Sequence, residues 1–140
     1  MNKIKICSPC DCVNLLGKYK NKKTEHFGVI ALNSQHEVVG QKCLFIGTDD
    51  RCDVSSRILF WYMCKKEARA FIVFHNHPSG NTNPSSYDVN VTDKLKQCGE
   101  LMGIELLDHV IVGRYNYYSF LENHCVLGTH DEEVKVAERS

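Results

Sequence analysis

Two histidines, a serine and an aspartate lie close together in the segment HNHPSGNTNPSSYD, residues 75–88. Only one residue separates His75 from His77, so on an extended segment both side chains point to the same side. Asp88 follows after a loop rich in Pro, Gly and Asn. Two imidazoles and one carboxylate are the usual ligands of a catalytic zinc ion, which keeps its fourth position open for water. The segment therefore predicts a zinc hydrolase with His75, His77 and Asp88 as metal ligands.

Each part of this pattern also has an ordinary structural explanation. A histidine is often a surface residue or a hydrogen-bonded core residue, and Ser85-x-x-Asp88 has the form of a capping box at a helix N-terminus. Asn76, between the two histidines, is expected to make loop hydrogen bonds and not to bind metal. The occurrence of both parts together favours the metal site over either explanation alone.

The chain around the motif predicts alternating strands and helices. Apolar, β-branched runs predict strands over 26–33, 37–47, 71–74, 104–107, 109–113 and 115–120. Capping residues and helical spacing predict three helices: one from Ser8 to near Gly17, one over 54–68 capped by Asp53, and one from Ser85 or Ser86 to about Met102. These elements indicate an α/β domain with a mixed β-sheet flanked by helices. The strand over 71–74 runs directly into His75, and the last helix begins beside Asp88.

The composition is that of a globular domain without net charge. Hydrophobic residues make up 43% of the 140 residues, and Lys+Arg and Asp+Glu number 17 each, so strong attraction to nucleic acid or to an anionic membrane is not favoured. No apolar run approaches the roughly 20 residues that cross a bilayer. Eight cysteines without a leader sequence predict reduced thiols and a cytoplasmic protein. We expect one domain over 1–121 and a loosely held tail over 122–140.

The cysteines near the N-terminus could form a second metal site or a redox pair. The spacing of Cys7, Cys10 and Cys12 resembles half of a zinc knuckle, but no matching Cys or His pair lies at a convincing distance. The helix predicted after Ser8 would also place Cys10 and Cys12 on different faces. We therefore expect ordinary packing or exposed thiols.

The same motif is the JAMM signature of the JAB/MPN metalloprotease family: H-x-H, seven residues, S, two residues, D. It is complete here as His75, His77, Ser85 and Asp88. The sequence resembles the RadC branch most closely, through the whole run 75–88, FIGT at 45–48, Thr92, and LLDHVIVG at 106–113 with the Tyr and Ser that follow. The resemblance extends from about residue 4 to residue 121.

The resemblance to this family implies a cytidine-deaminase-like JAB/MPN fold, a zinc ion held by the two histidines and the aspartate, and a catalytic glutamate near the first core strand. Glu25, in the string TEHFGVIAL, matches that glutamate. Glu37 is the competitor and Glu67 a remote one, and spacing alone does not choose between Glu25 and Glu37. The implied reaction is hydrolysis of a peptide or isopeptide amide by a zinc-activated water, with Glu25 as the base and Ser85 as hydrogen-bond donor to the oxyanion.

Two other functions stay open. The RadC branch carries a historical association with DNA repair or recombination, to which the short basic run KYKNKK (18–23) and the neutral charge balance lend little support. Many RadC relatives have a helix-hairpin-helix region before this domain; with about 24 residues before Glu25, too few for that region plus the first helix, we do not expect it here. A metal-stabilised scaffold without turnover is the second alternative, which the intact Glu25 and Ser85 disfavour.

The remaining candidates are aromatic and imidazole side chains whose roles the sequence leaves open. His109, in LLDHVIVG, either lies near the metal or is a hydrogen-bonded histidine at a strand start, and Asp108 is equally open. Four tyrosines either line a substrate groove or pack on the sheet, and we expect packing: Tyr87, Tyr115, Tyr117 and Tyr118.

Overall fold

The structure is a computed structural model that describes residues 3–123. Most of the predicted tail, from residue 124 onward, lies outside this range, so the domain boundary at 121 stays a prediction. In chain order the elements are α1 (Pro9–Leu15), a 3₁₀ helix (Gly17–Tyr19), β1 (His26–Leu32), β2 (Val38–Ile46), α2 (Ser56–Lys65), β3 (Ala70–Asn76), α3 (Ser86–Met102), β4 (Glu105–Val112) and β5 (Tyr117–Ser119). None of the helices described is both long and apolar enough to cross a membrane.

The five strands form one sheet in the order β2-β1-β3-β4-β5. Only the pair β3 and β4 is parallel, and α3 connects these two strands, as a parallel crossover requires. The other neighbouring strands are antiparallel. The predicted mixed α/β sheet flanked by helices, the JAB/MPN fold, is therefore confirmed.

Alternate residues of β3 supply two cores on opposite faces of the sheet. Phe71 and Val73 belong to the core that α2 and α3 cover, whereas Ile72 and Phe74 belong to the core beneath α1. All seven residues of β3 are buried, which explains its continuous apolar sequence. Because side chains alternate along a strand, the end of β3 presents His75 on the α3 side of the sheet and its neighbour on the α1 side.

Helix α2 begins later than the sequence predicted, and the assignment of Asp53 as its cap was wrong. The hydroxyl oxygen of Ser55 accepts a hydrogen bond from the backbone N–H of Ile58 at 3.3 Å and caps the helix. The Asp53 carboxylate instead lies 3.1 Å from Nε of Arg51. The helix ends at Lys65, and Glu67 has a positive φ of 53°, so the predicted extension to residue 68 was also wrong.

The two strands predicted over 104–107 and 109–113 are one continuous strand, β4. Asp108 does not break it, because its buried carboxylate accepts hydrogen bonds from Oγ of Ser119 at 2.6 Å and from the backbone N–H of Leu121 at 3.0 Å. A buried carboxylate is tolerated when such donors satisfy it. Strand β5 covers only Tyr117–Ser119, which is shorter than the predicted 115–120.

Candidate metal centre

His75 is the last but one residue of β3 and is almost completely enclosed. Only 1% of its surface is exposed. Its partner in the pairing of β1 with β3 is Phe27, whose ring stacks on the imidazole with 5.6 Å between ring centroids. The stacked Phe27 ring and the surrounding core hold the imidazole in one orientation. A preorganised metal ligand requires such a fixed orientation.

His77 lies just beyond β3 and is held by backbone contacts of the loop that follows. Its N–H donates to the carbonyl oxygen of Val112 at 3.1 Å, which keeps the chain extended beside β4. The loop then turns at Gly80, whose φ of 89° suits glycine. Nδ1 of His77 lies 2.7 Å from the carbonyl oxygen of Asn81. A carbonyl only accepts, so Nδ1 carries the proton and the Nε2 lone pair is directed inward.

Asp88 reaches the site from the first turn of α3. Ser85 caps this helix: its Oγ accepts from the N–H of Asp88 at 3.1 Å, and its own N–H donates to Oδ2 of Asp88 at 2.9 Å. The capping box proposed as an alternative to the metal site is therefore present. It does not exclude the metal site, because the same carboxylate also faces both histidines.

The three predicted metal ligands converge on one point. Nε2 of His75 lies 2.9 Å from Nε2 of His77 and 3.3 Å from Oδ1 of Asp88, and Oδ2 of Asp88 lies 3.1 Å from Nε2 of His77. In a tetrahedral zinc site with bonds near 2.0 Å, ligand atoms are separated by about 3.3 Å. The two histidines contact different oxygens of the Asp88 carboxylate, and each of the three contacts is close to that ligand–ligand separation.

Glu25 stands beside these three residues, immediately before β1. Its Oε1 lies 3.9 Å from Nε2 of His75, farther than any of the three contacts among the predicted ligands. Backbone hydrogen bonds fix its position: its N–H donates to the carbonyl oxygen of Thr48 at 2.7 Å, and its own carbonyl oxygen accepts from the N–H of Gly47 at 2.8 Å. Glu25, His75 and His77 also have ligand atoms within 4.8 Å of one another.

Asn76 holds the segment that carries Glu25. Its Oδ1 accepts from the backbone N–H of His26 at 2.7 Å, and its Nδ2 donates to the carbonyl oxygen of Thr24 at 3.0 Å. The structure thus gives Asn76 the hydrogen-bonding part expected from the sequence. Its two bonds bracket Glu25, so the residue between the two histidines positions the carboxylate next to them.

The two competing glutamates lie elsewhere. Glu37 sits at the turn between β1 and β2, where its carboxylate accepts from Nδ2 of Asn33 at 2.8 Å. Because β1 and β3 are antiparallel and Phe27 pairs with His75, that turn lies at the opposite end of the sheet. Glu67 precedes β3, again at the end away from His75. Among these three glutamates, the structure brings only Glu25 to the histidines.

The protonation states suit a cation-binding site. Burial lowers the pKa of His75, which favours the neutral imidazole that a metal needs. Burial alone would raise the pKa of Asp88, but interaction with the two histidines, which requires a proton at an Nε2 position in the metal-free site, outweighs this effect and holds that pKa well below its usual range. Burial raises the pKa of Glu25 to about 7, an effect that His77 opposes and Asp88 reinforces.

His77 differs from His75 in the direction of its pKa shift, so a proton competes with a cation for its Nε2. Burial lowers its pKa, but the hydrogen bonds to Asp88 and to the Asn81 carbonyl more than compensate, so the pKa is raised overall. The group that the family implies is zinc, and two imidazole nitrogens with one carboxylate oxygen are donors that zinc accepts. The residues present therefore fit the metal.

Ser85 contributes to stability through its cap, and this contribution is measurable. Replacing Ser85 with Ala removes the acceptor for the N–H of Asp88, so the free energy of unfolding of the zinc-free protein should fall by about 1 kcal/mol. Urea denaturation measures the change. Ser86→Ala, one residue further on and equally exposed, is the matched control and should leave stability unchanged. Equal stability of both variants would contradict the capping role.

An open cleft of about 490 Å³ lies over the site. Four residues of the candidate site line it, Glu25, His77, Ser85 and Asp88, and the rest of the lining comes from 49–52 and from Pro78, Ser79 and Tyr87. The sequence analysis did not identify 49–52 as part of the site. The charged run TDDRCD (48–53) between a strand and a helix could have indicated it, because α/β proteins commonly carry functional residues in such loops.

The tyrosines behave differently from one another. Tyr118 and Tyr117 pack against the two cores, as expected. Tyr87 lines the cleft, with the guanidinium carbon of Arg51 5.6 Å from its ring centroid, so the expectation of packing on the sheet was wrong for this residue. Tyr115 is 91% exposed, so the expectation of packing was wrong for this residue. It lies in the bend between β4 and β5.

The N-terminal cysteines do not converge. Cys7 and Cys10 are exposed, whereas Cys12 is buried in the core under α1. Burial raises the pKa of Cys12 to about 12, so its thiol stays protonated and is a poor metal ligand. Among residues 3–123, the group that could hold a metal ion consists of Glu25, His75 and His77, and it includes none of these thiols.

The fold and the donor set define an α/β domain with a candidate metal site beneath an open cleft. A family model described as the RadC-like JAB domain matches residues 6–125. The chain belongs to this RadC-like JAB family. The resemblance inferred from the sequence is thereby confirmed.

Relatives in several bacteria support the assignment. The chain is 46% identical over 119 residues to a UPF0758 protein of Clostridium kluyveri, covering 84% of this chain and 52% of that protein. It is 42% identical over 121 residues to one from Staphylococcus haemolyticus, covering 86% and 53%. A UPF0758 protein of Staphylococcus aureus is 39% identical over 122 residues, covering 86% and 56%. The chain thus spans about half the length of these relatives.

Proposed function

We propose that this domain is a zinc-dependent metallohydrolase of the JAMM type that cleaves peptide or isopeptide amide bonds. The observation that carries the proposal is the convergence of His75, His77 and Asp88 on one point, with Glu25 beside them in an open cleft. These side chains come from four parts of the sequence: His75 from β3, His77 from the loop that follows it, Asp88 from α3 and Glu25 from the segment before β1. Helix capping and strand packing alone do not require these four side chains to meet.

The three ligands would hold the metal through Nε2 of His75, Nε2 of His77 and the carboxylate of Asp88. Zinc in such a site supplies Lewis acidity, which acidifies water and polarises a scissile carbonyl group. Glu25 accepts the proton of the attacking water at its carboxylate and then delivers it to the leaving amine. In the metal-free site burial raises the pKa of Glu25 to about 7, and a cation bound beside it would lower that pKa again, towards the carboxylate form that accepts a proton.

Ser85 lines the cleft and is exposed, so its hydroxyl is accessible to a substrate. Its Oγ accepts from the N–H of Asp88, and a hydroxyl that accepts can still donate its own hydrogen. In the proposed mechanism it donates to the oxyanion that develops on the substrate, a type of contact worth roughly 3 kcal/mol in measured cases. The cap would thus place a donor and a metal ligand in one short segment.

The charges that line the cleft disfavour nucleic acid as the substrate. Asp49 and Asp50 line it together with Arg51, and carboxylates repel a phosphate backbone. The seven cysteines in the described part of the chain are unpaired, which supports a cytoplasmic location. The substrate is accordingly a peptide or protein of that compartment.

Metal-dependent cleavage tests this proposal. Zinc-loaded protein is incubated with a mixture of linear peptides and Lys-branched isopeptides, and the products are read by mass spectrometry. Cleavage should be lost with a chelator and restored by added zinc. Zinc-loaded protein that cleaves none of the substrates would instead favour the metal-stabilised scaffold, and salt-dependent binding of duplex DNA would favour the DNA-associated alternative.

A further inference from the structure

A chain of buried side chains lies behind the metal centre and connects two of the proposed ligands. Nδ1 of His75 lies 2.8 Å from Nε2 of His109, and Nδ1 of His109 contacts Oγ1 of Thr92. The hydroxyl of Thr92 donates in turn to the backbone carbonyl oxygen of Asp88 at 2.7 Å. This series of contacts, called the relay below, therefore runs from His75 in β3 through His109 in β4 to Thr92 in α3, and it ends at Asp88 in the first turn of that helix.

Each proton in this chain has a defined position. The Asp88 carbonyl can only accept, so Thr92 must donate to it, and the Thr92 oxygen then accepts from Nδ1–H of His109. A neutral imidazole carries one N–H, so Nε2 of His109 is an acceptor. The proton between the two imidazoles must therefore sit on Nδ1 of His75. That tautomer leaves a lone pair on Nε2 of His75, the atom that faces the metal site.

Burial and packing prevent other arrangements. His109 is 0% exposed and Thr92 is 3% exposed, so water has little access to either. The ring of His109 stacks on Phe120 with 4.7 Å between centroids and 8° between planes, and it meets Phe27 edge-on at 5.7 Å. The imidazole cannot rotate without breaking this packing, so its two nitrogens keep their partners.

We propose that Thr92 and His109 are positioning residues that fix the Nδ1–H tautomer of His75 and so prepare its Nε2 to bind the metal. With Nε2 of both ligand histidines unprotonated, two lone pairs face each other at 2.9 Å, an arrangement that only a cation or an added proton stabilises. Metal-bound histidines commonly donate their second N–H to a carboxylate or a carbonyl group. Here a neutral imidazole takes that place, and a threonine fixes its direction. The inference rests on the metal site of the proposed function.

A pair of threonine variants tests the relay. Thr92→Val keeps the size of the side chain and removes the hydroxyl, whereas Thr92→Ser keeps the hydroxyl. Zinc affinity, measured by competition with a chromophoric chelator, should fall roughly 10-fold or more in Thr92→Val, in line with substitutions around other metal sites. Thr92→Ser should stay close to the wild type. Equal zinc affinity in all three proteins would overturn the proposal.

Imidazole nitrogen NMR gives a readout that a purely structural role would not change. In the zinc-free wild type, His75 should show the Nδ1–H tautomer, and Thr92→Val should show a mixture of tautomers. A Thr92→Val protein that melts at a lower temperature but keeps both the tautomer and the zinc affinity would reduce Thr92 to a packing residue. His109→Phe, which retains a ring against Phe120, should lose more affinity than Thr92→Val if it folds.

The two proposals fail in different ways. A wild-type protein that binds no zinc would contradict the proposed function, whereas the His75 tautomer in zinc-free protein would still decide the relay. A wild type that binds zinc, with variants that bind it equally well, would contradict the relay alone.

Discussion

Glu25→Gln should abolish amide hydrolysis while the protein keeps its zinc. Glutamine has the shape of glutamate but cannot accept and return a proton at its carboxyl position, so the rate should fall by roughly 10²- to 10⁴-fold. Zinc should remain because Glu25 lies 3.9 Å from Nε2 of His75, outside the triangle of closer contacts. Cleavage rate and metal content are measured on the same preparation.

Glu37→Gln is the matched control for this experiment. Glu37 bonds to Asn33 in the turn at the far end of β1, so its substitution should leave the cleavage rate unchanged. A Glu25→Gln variant that cleaves at the wild-type rate would contradict the assignment of Glu25 as the base. Loss of zinc in Glu25→Gln would instead make Glu25 a ligand, as its grouping with the two histidines also permits.

His77→Ala should remove the metal itself. The wild-type protein should carry about one zinc ion per chain by mass spectrometry of the metal content, and the variant should carry almost none, because two of three protein ligands rarely hold zinc. Zinc should also raise the unfolding free energy of the wild type, by about 2.7 kcal/mol at a concentration 100 times the dissociation constant. The variant should show no such rise.

A histidine outside the site controls for general effects of substitution. His36 has a φ of 61° in the turn before β2, so asparagine, which tolerates this conformation, is the suitable replacement. His36→Asn should retain one zinc ion per chain. Metal that persists in His77→Ala would place the zinc elsewhere, with the exposed thiols of Cys7 and Cys10 as the next ligands to test.

The predicted ligands were accessible from the sequence because their geometry is mostly local. His75 and His77 share a side through the period of an extended chain, and Ser85 brings Asp88 into place through a capping box of adjacent residues. The span of α3 was predicted correctly for the same reason, with Ser85 before it and Gly103, at a φ of 74°, after it. Short-range rules are sufficient where the interactions are short-range.

Glu25 and Glu37 could not be distinguished in this way. Each lies beside an apolar strand in the sequence, and only the pairing of Phe27 with His75 decides which strand end meets the histidines. The predicted cap of α2 was wrong for a related reason: Asp53 and Ser55 are both good capping residues, and the sequence does not show that the helix begins after Ser55. Such choices depend on contacts between distant segments or on competition between near-equivalent residues.

The role of His109 was undecidable from the sequence because it depends on the alignment of parallel strands. Val73 pairs with His109 across β3 and β4, which brings the His109 ring within 4.9 Å of the His75 ring, centroid to centroid. Thr92 reaches the same point from α3. Sequence spacing carries no information on such a meeting of three elements.

His75 and Asn76 face opposite sides of one strand, and this makes strand alignment a determinant of reactivity. One side chain faces the predicted metal site, and the next holds the backbone on either side of Glu25. If β3 slipped by one position against β1, the two side chains would exchange sides. An amide would then occupy the ligand position, and an imidazole would stand where Thr24 and His26 are gripped. The backbone hydrogen bonds between β1 and β3 therefore determine which side chain faces the predicted metal site, and substitutions in β1 that shift this pairing should weaken zinc binding.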